Sequence, residues 1–147
     1  AYLSMMKKKY IVCWLFLILF LASCTKPEDK IRGIWQLSSI SKNGNETSDA
    51  SPGEVESLLS SWTFYRSKIL LINYYRNSVV YKSSGNWSLD AKNDYLTVTF
   101  SDAYREVERT YHIDKFKSNE LKVSFQEDQD AWVLVFSLQY SFQDYDI

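Results

Sequence analysis

From Ile31 onward, apolar and polar positions alternate with a period of two, the signature of half-buried strands. Between Ala131 and Phe142, the residues Trp132, Leu134, Phe136, Leu138, Tyr140 and Phe142 share one face. Ala131, Val133, Val135, Ser137, Gln139 and Ser141 share the other, so both sides are partly apolar and the strand reads as central. Leu121, Val123 and Phe125 alternate with Lys122, Ser124 and Gln126 just before it, and Glu127 to Asp130 supply the turn of a hairpin. Further strands are legible at Ile31 to Ser41, Trp62 to Lys68, Ile69 to Tyr75, Ser78 to Leu89, Tyr95 to Ser101 and Tyr104 to Phe116. The breaks between them hold Asn43-Gly44-Asn45, Arg76-Asn77, Asp90 to Asp94 and Ser118-Asn119, all turn-forming residues. Eight short, evenly spaced strands predict an all-β fold, a small antiparallel meander barrel, with a two-sheet sandwich as the alternative.

One segment departs from that period. Ser51-Pro52-Gly53-Glu54 has a capping serine, a proline at the first helical position and a glutamate three residues after the cap. Val55, Leu58, Leu59 and Trp62 then fall at helical spacing, which predicts one short helix plugging a barrel end or covering a ligand mouth. Gly33-Ile34-Trp35 and Gly85-Asn86-Trp87 each place a glycine two residues before a tryptophan. A glycine inside a strand marks a bend or a close backbone approach, so Gly33, Trp35, Gly85 and Trp87 are read as structural, with both tryptophans in the core.

The N-terminus obeys a different logic. Lys7, Lys8 and Lys9 precede an unbroken apolar run from Ile11 to Ala22, too short to span a bilayer as a helix. Leu21-Ala22-Ser23-Cys24 resembles the lipobox of bacterial lipoproteins, in which cleavage before the cysteine accompanies its acylation. The expected organisation is a signal peptide over residues 1–23, the lipidated Cys24 with a polar tether over 24–30, and one domain over 31–147. The resemblance implies a palmitate-type anchor in a bacterial cell envelope, at the outer membrane, with the membrane as a partner through the lipid. Lys26, Glu28 and Asp29 look like the export signals of surface lipoproteins in the Bacteroidota; an ordinary solvated linker is the alternative.

Cleavage would remove three lysines and leave 14 basic against 18 acidic residues, a net charge of −4. A mildly acidic domain with no basic stripe is a poor partner for nucleic acid. With Cys13 discarded and Cys24 acylated, no thiol remains for a disulfide, a metal site or a nucleophile. His112 is the single histidine, with Glu106 and Glu108 on its own strand face. One histidine with scattered carboxylates nominates neither a zinc set nor a catalytic triad, so no enzyme, metal or cofactor is expected.

IRGIWQLSSI, with its Gly-x-Trp, is similar to the opening strand of lipocalin-like domains. GNWSLDAKNDYLTVTF and YHIDKFKSNELKVSF resemble later strands of small lipocalin-like lipoproteins of the Bacteroidota. That family packs a last-strand arginine over the opening tryptophan; Ala131 to Phe142 contains none, leaving Arg105 or Arg109 as substitutes. The resemblance implies a barrel that binds a small apolar or amphipathic ligand. Trp62, Tyr74, Tyr81 and Trp87 are the candidate lining, because such side chains offer an apolar body with a polar tip. The alternative is a filled barrel acting as an envelope protein-interaction module, of inhibitor or immunity type, through an exposed aromatic patch.

Overall fold

The computed structural model describes residues 26–102 and 105–147. The signal segment, Cys24 and Thr25 lie outside the described residues, as does Tyr104. A one-turn helix α1 (Pro27–Ile31) leads into nine strands: β1 (Gly33–Lys42), β2 (Asn45–Glu46), β3 (Ser61–Phe64), β4 (Ile69–Arg76), β5 (Val79–Leu89), β6 (Tyr95–Asp102), β7 (Arg105–Phe116), β8 (Glu120–Glu127) and β9 (Asp130–Ser141). Each long strand pairs antiparallel with the next, and β1 pairs with both β3 and β9. Eight strands therefore close into a meander barrel rather than a sandwich, with β2 a two-residue extension folded back on β1. Register shifts between Ile34 and Trp35 and between Leu37 and Ser39 fall on the β1–β9 seam, where extra twist helps the sheet curl shut.

The interior is packed with large rings. Trp35, Trp62, Phe64, Phe100, Tyr111 and Phe136 are each at most 1% exposed. Trp62 lies at the centre, its ring 5.0 Å from Phe136, 6.2 Å from Tyr111, 6.4 Å from Phe64 and 6.5 Å from Phe100. Small barrels take this form when inward positions carry bulky side chains.

One end is sealed by α1, where the sequence reads as a solvated tether. Pro27 starts the turn, Glu28 and Asp29 favour its N-terminus and Lys30 its C-terminus. Ile31 is fully buried beneath it, and its carbonyl accepts a 2.8 Å bond from Trp35 Nε1. Glu28 pairs with Lys68 at 2.9 Å and Asp29 with Arg32 at 3.4 Å, so the charges that resemble an export signal are part of this end of the fold. Neither Arg105 nor Arg109 packs over Trp35. Phe116 meets it edge-on at 6.3 Å, and Lys30 lies 4.2 Å above the Phe116 ring, so a helix lysine acts through phenylalanine where an arginine was expected.

Both strand glycines sit where backbones touch. A Cβ on Gly33 would lie 2.3 Å from Tyr140 O, and one on Gly85 only 1.6 Å from Thr99 O. Neither neighbour is a flexible side-chain tip, so Gly85→Ala must push β5 off β6. The expected loss is about 1–3 kcal/mol, read from denaturant midpoints. An unchanged midpoint would show that the two strands are not held this closely.

Candidate functional site

The opposite end, the mouth, is covered by the connector 47–60. The sequence predicts a helix here; the structure shows bends and one turn instead. A helix would turn Val55 and Glu56 to different faces, yet both are fully buried. Leu59 has a left-handed φ of 68° and is 59% exposed rather than on an apolar face. Tertiary contacts to Glu56 override the local capping signal. The plug that the sequence suggests is nonetheless present, made by an irregular segment.

Glu56 is the centre of the mouth. Its Oε1 lies 2.7 Å from Arg109 Nη2, and its Oε2 accepts a 2.8 Å hydrogen bond from Tyr111 Oη. Arg109 also reaches Glu127 at 3.5 Å and stacks 4.4 Å over the Phe125 ring, which meets Tyr111 edge-on at 5.1 Å. Burial pushes the Glu56 carboxyl up from its usual 4.5 to about 7, against the pull of Arg109 and the Tyr111 hydroxyl. The Tyr111 phenol is raised well above 10, by burial first and by the Glu56 charge second. Glu56 Oε1, Arg109 Nε and Asp102 Oδ1 are all buried here without hydrogen-bond partners, the Oε1 contact with Arg109 being an ion pair only. Arg109 and Tyr111 share the inward face of β7 with Val107, and a basic residue at such a position signals a buried acid. Nothing in the connector's sequence singles out Glu56.

Trp62, Tyr74, Tyr81 and Trp87 do not gather round one hollow. Trp62 fills the barrel centre, and Trp87 lies toward the sealed end, donating from Nε1 to Tyr65 O at 2.9 Å beneath Lys68. Tyr74 and Tyr81 do meet, stacked at 5.7 Å across β4 and β5 on the rim of the mouth. Tyr74 is buried and Tyr81 half exposed.

His112 pairs with a carboxylate, but not with Glu106 or Glu108. Its Nδ1 lies 2.7 Å from Asp114 Oδ1, and Ser124 Oγ donates to that same oxygen at 3.0 Å. A nucleophilic triad needs the imidazole between hydroxyl and acid; here the acid is in the middle, so the histidine cannot take the serine proton.

The outer wall carries a feature the alternation does not announce. Tyr140, Ile34, Thr63, Leu71 and Ser84 form one cross-strand row over β9, β1, β3, β4 and β5. Around it lie Ile69, Tyr145 and Ile147, and along β4 and β5 Tyr75 and Val80, all 44–54% exposed. Tyr65 stacks on Phe142 at 5.9 Å, and Tyr140 on Tyr145 at 6.2 Å. A groove of about 260 Å³ runs over this wall, bordered by Thr63, Tyr65, Leu71, Asn73, Lys82 and Ser84.

No protein-family model and no curated protein matches this chain. Among solved structures, a complex of bovine odorant binding protein with undecanal is similar to it. The likeness has a TM-score of 0.48 and 10% identity, and covers 80% of this chain and 76% of that one. The class of protein rests on the topology itself: a closed, eight-stranded antiparallel meander with a short helix at one end, the lipocalin-like barrel plan.

Proposed function

We propose that this is a lipid-anchored binding protein of the bacterial cell envelope, held at the outer membrane, that engages a partner protein through its outer wall. The observation that carries the reading is a ring-filled interior combined with exposed apolar side chains on the outward faces of β4 and β5, at Tyr140 and in the C-terminal segment. Exposed aromatic and aliphatic side chains set among polar ones on a folded domain mark a candidate interaction site, and a rigid barrel is a good support for one. A small amphipathic ligand remains part of this reading only at the mouth, not in a deep cavity lined by Trp62 and Trp87.

Photo-crosslinking in cells tests the wall. A crosslinker at Leu71 should trap a discrete partner, while one at Thr110, on the polar side, should not. Equal trapping at both positions, or none at either, sinks the reading. The anchor is tested separately. Cys24 stands two residues before Lys26, a reach of about 7 Å, which would hold the sealed end near the bilayer and turn the mouth away. Cys24→Ser should abolish palmitate labelling and release the protein from membranes, because stable anchoring needs the acyl chains. Unchanged labelling and partitioning would end the lipoprotein assignment.

A further inference from the structure

We propose that Arg109 and Tyr111 form a carboxylate-binding site on the inner wall of the mouth, that the chain fills it with its own Glu56, and that a short amphipathic monocarboxylate displaces this internal ligand. The inference goes beyond the outer-wall reading and does not depend on it. Glu56 is held unevenly: its Oε2 accepts a hydrogen bond from the Tyr111 phenol at 2.8 Å, while its Oε1 is ion-paired with Arg109 Nη2 at 2.7 Å without making a hydrogen bond. Donor and acceptor are mismatched here. Arg109 Nε and Glu56 Oε1 are both buried and without a hydrogen bond, so a differently placed acid could satisfy the guanidinium better than Glu56 does.

The apolar surroundings define the rest of the ligand. Phe125 lies under the guanidinium, Tyr111 touches Trp62 at 6.2 Å, and Val55 is fully buried next to Glu56. A ligand that replaces Glu56 and Val55 gains a small apolar space floored by rings. With Trp62 and its neighbours filling the barrel below, only a short tail fits.

The connector can open without breaking a strand ladder. Its backbone hydrogen bonds cluster at its two ends: Thr47 N to Ile40 O, Leu59 N to Leu37 O and Ser60 N to Ser57 O. Between them it is held by side chains: the fully buried Val55 and Glu56, Ala50 and Leu58 packed against the core, and the Glu54–Arg76 pair at 2.7 Å. Segments of this kind open at a fraction of the global unfolding cost.

Charge linkage gives the exchange a direction. The groups facing Glu56 are Arg109 and Tyr111 from β7, Glu127 at the end of β8 and Asp102 from β6, with Glu54 turned to Arg76. Closed, Glu56 titrates near 7; released to water it returns to about 4.5 and gives up its proton. Release of Glu56 is therefore favoured as pH rises through that interval. A ligand carboxyl seated in the same buried site is raised for the same reason and takes up the proton that Glu56 gives up, so hexanoate affinity should change little between about pH 5 and 7.

Calorimetric titration of the full chain with sodium hexanoate, against 1-hexanol and a detergent blank, tests this. Hexanoate should bind one-to-one, at least tenfold more tightly than hexanol, and should raise hydrogen exchange in residues 47–60. Glu56→Ala should tighten hexanoate at least tenfold and uncover a fall in affinity as pH rises towards 7, because no proton released by Glu56 then offsets the one the bound ligand takes up. Added to Glu56→Ala, where the hydroxyl no longer also holds a competitor, Tyr111→Phe keeps the ring in the core and should weaken hexanoate about tenfold while leaving hexanol unchanged. Equal binding of the two probes, no binding to either wild type or Glu56→Ala, or unchanged affinity when Tyr111→Phe is added to Glu56→Ala would each overturn the proposal.

Discussion

Truncating Trp62 to alanine is expected to cost the domain about 3–5 kcal/mol and to lower its melting temperature by roughly 10–20 °C. The indole is fully buried and touches four other rings, while Nε1 donates to Ser60 Oγ at 3.2 Å. Its removal leaves a cavity bounded by Phe64, Phe100, Tyr111 and Phe136, none free to collapse inward, because each is fixed by its own strand. The loss is a large share of the stability of an ordinary domain. Trp62→Phe should recover part of it. A melting temperature within a few degrees of wild type for Trp62→Ala would mean that the barrel interior is not the solid core described above.

The second large effect is a dependence of stability on pH. Glu56 has a folded pKa of about 7 against a usual 4.5, raised by burial. The sign follows from linkage: a raised carboxyl contributes stability that is fully present below about pH 4.5 and is lost as pH rises through 7. That difference corresponds to about 3 kcal/mol. Wild type should therefore weaken between pH 5 and 8 relative to Glu56→Gln, whose buried amide does not titrate. Subtracting the two denaturation curves isolates this residue from the exposed carboxylates Asp90 and Glu120, whose lowered pKa values act at more acid pH. Parallel curves for the two proteins across this range would show that Glu56 does not titrate in the folded state.

Both effects sit on residues of different legibility. Trp62 stands out in any reading of an aromatic-rich strand pattern, although its place at the centre, rather than beside a hollow, depends on how far the rings of other strands reach inward. Glu56 was hidden. Its neighbours Ser51, Pro52 and Glu54 carry a helix-start signal that is locally sound, yet the segment spans two strands whose positions are set by barrel closure. The pull of Arg109 and Tyr111, some 50 residues on in sequence, decides its path. The Tyr140-to-Ser84 row was equally out of reach. Each member is an unremarkable outward residue in its own strand, and only register makes them neighbours.

Alternation with period two, turn residues at the breaks and two glycine–tryptophan pairs were enough, by themselves, to point to the eight long strands in antiparallel meander order, though not to β2 or to a barrel over a sandwich. These are local signals, carried by each residue's own preference and its nearest neighbours along the chain. Closure of β1 on β9, the ring-filled interior, the irregular plug and its buried carboxylate were decided by the tertiary structure. They depend on side chains distant in sequence competing for one volume and one set of hydrogen-bond donors, and no local pattern encodes who wins that competition.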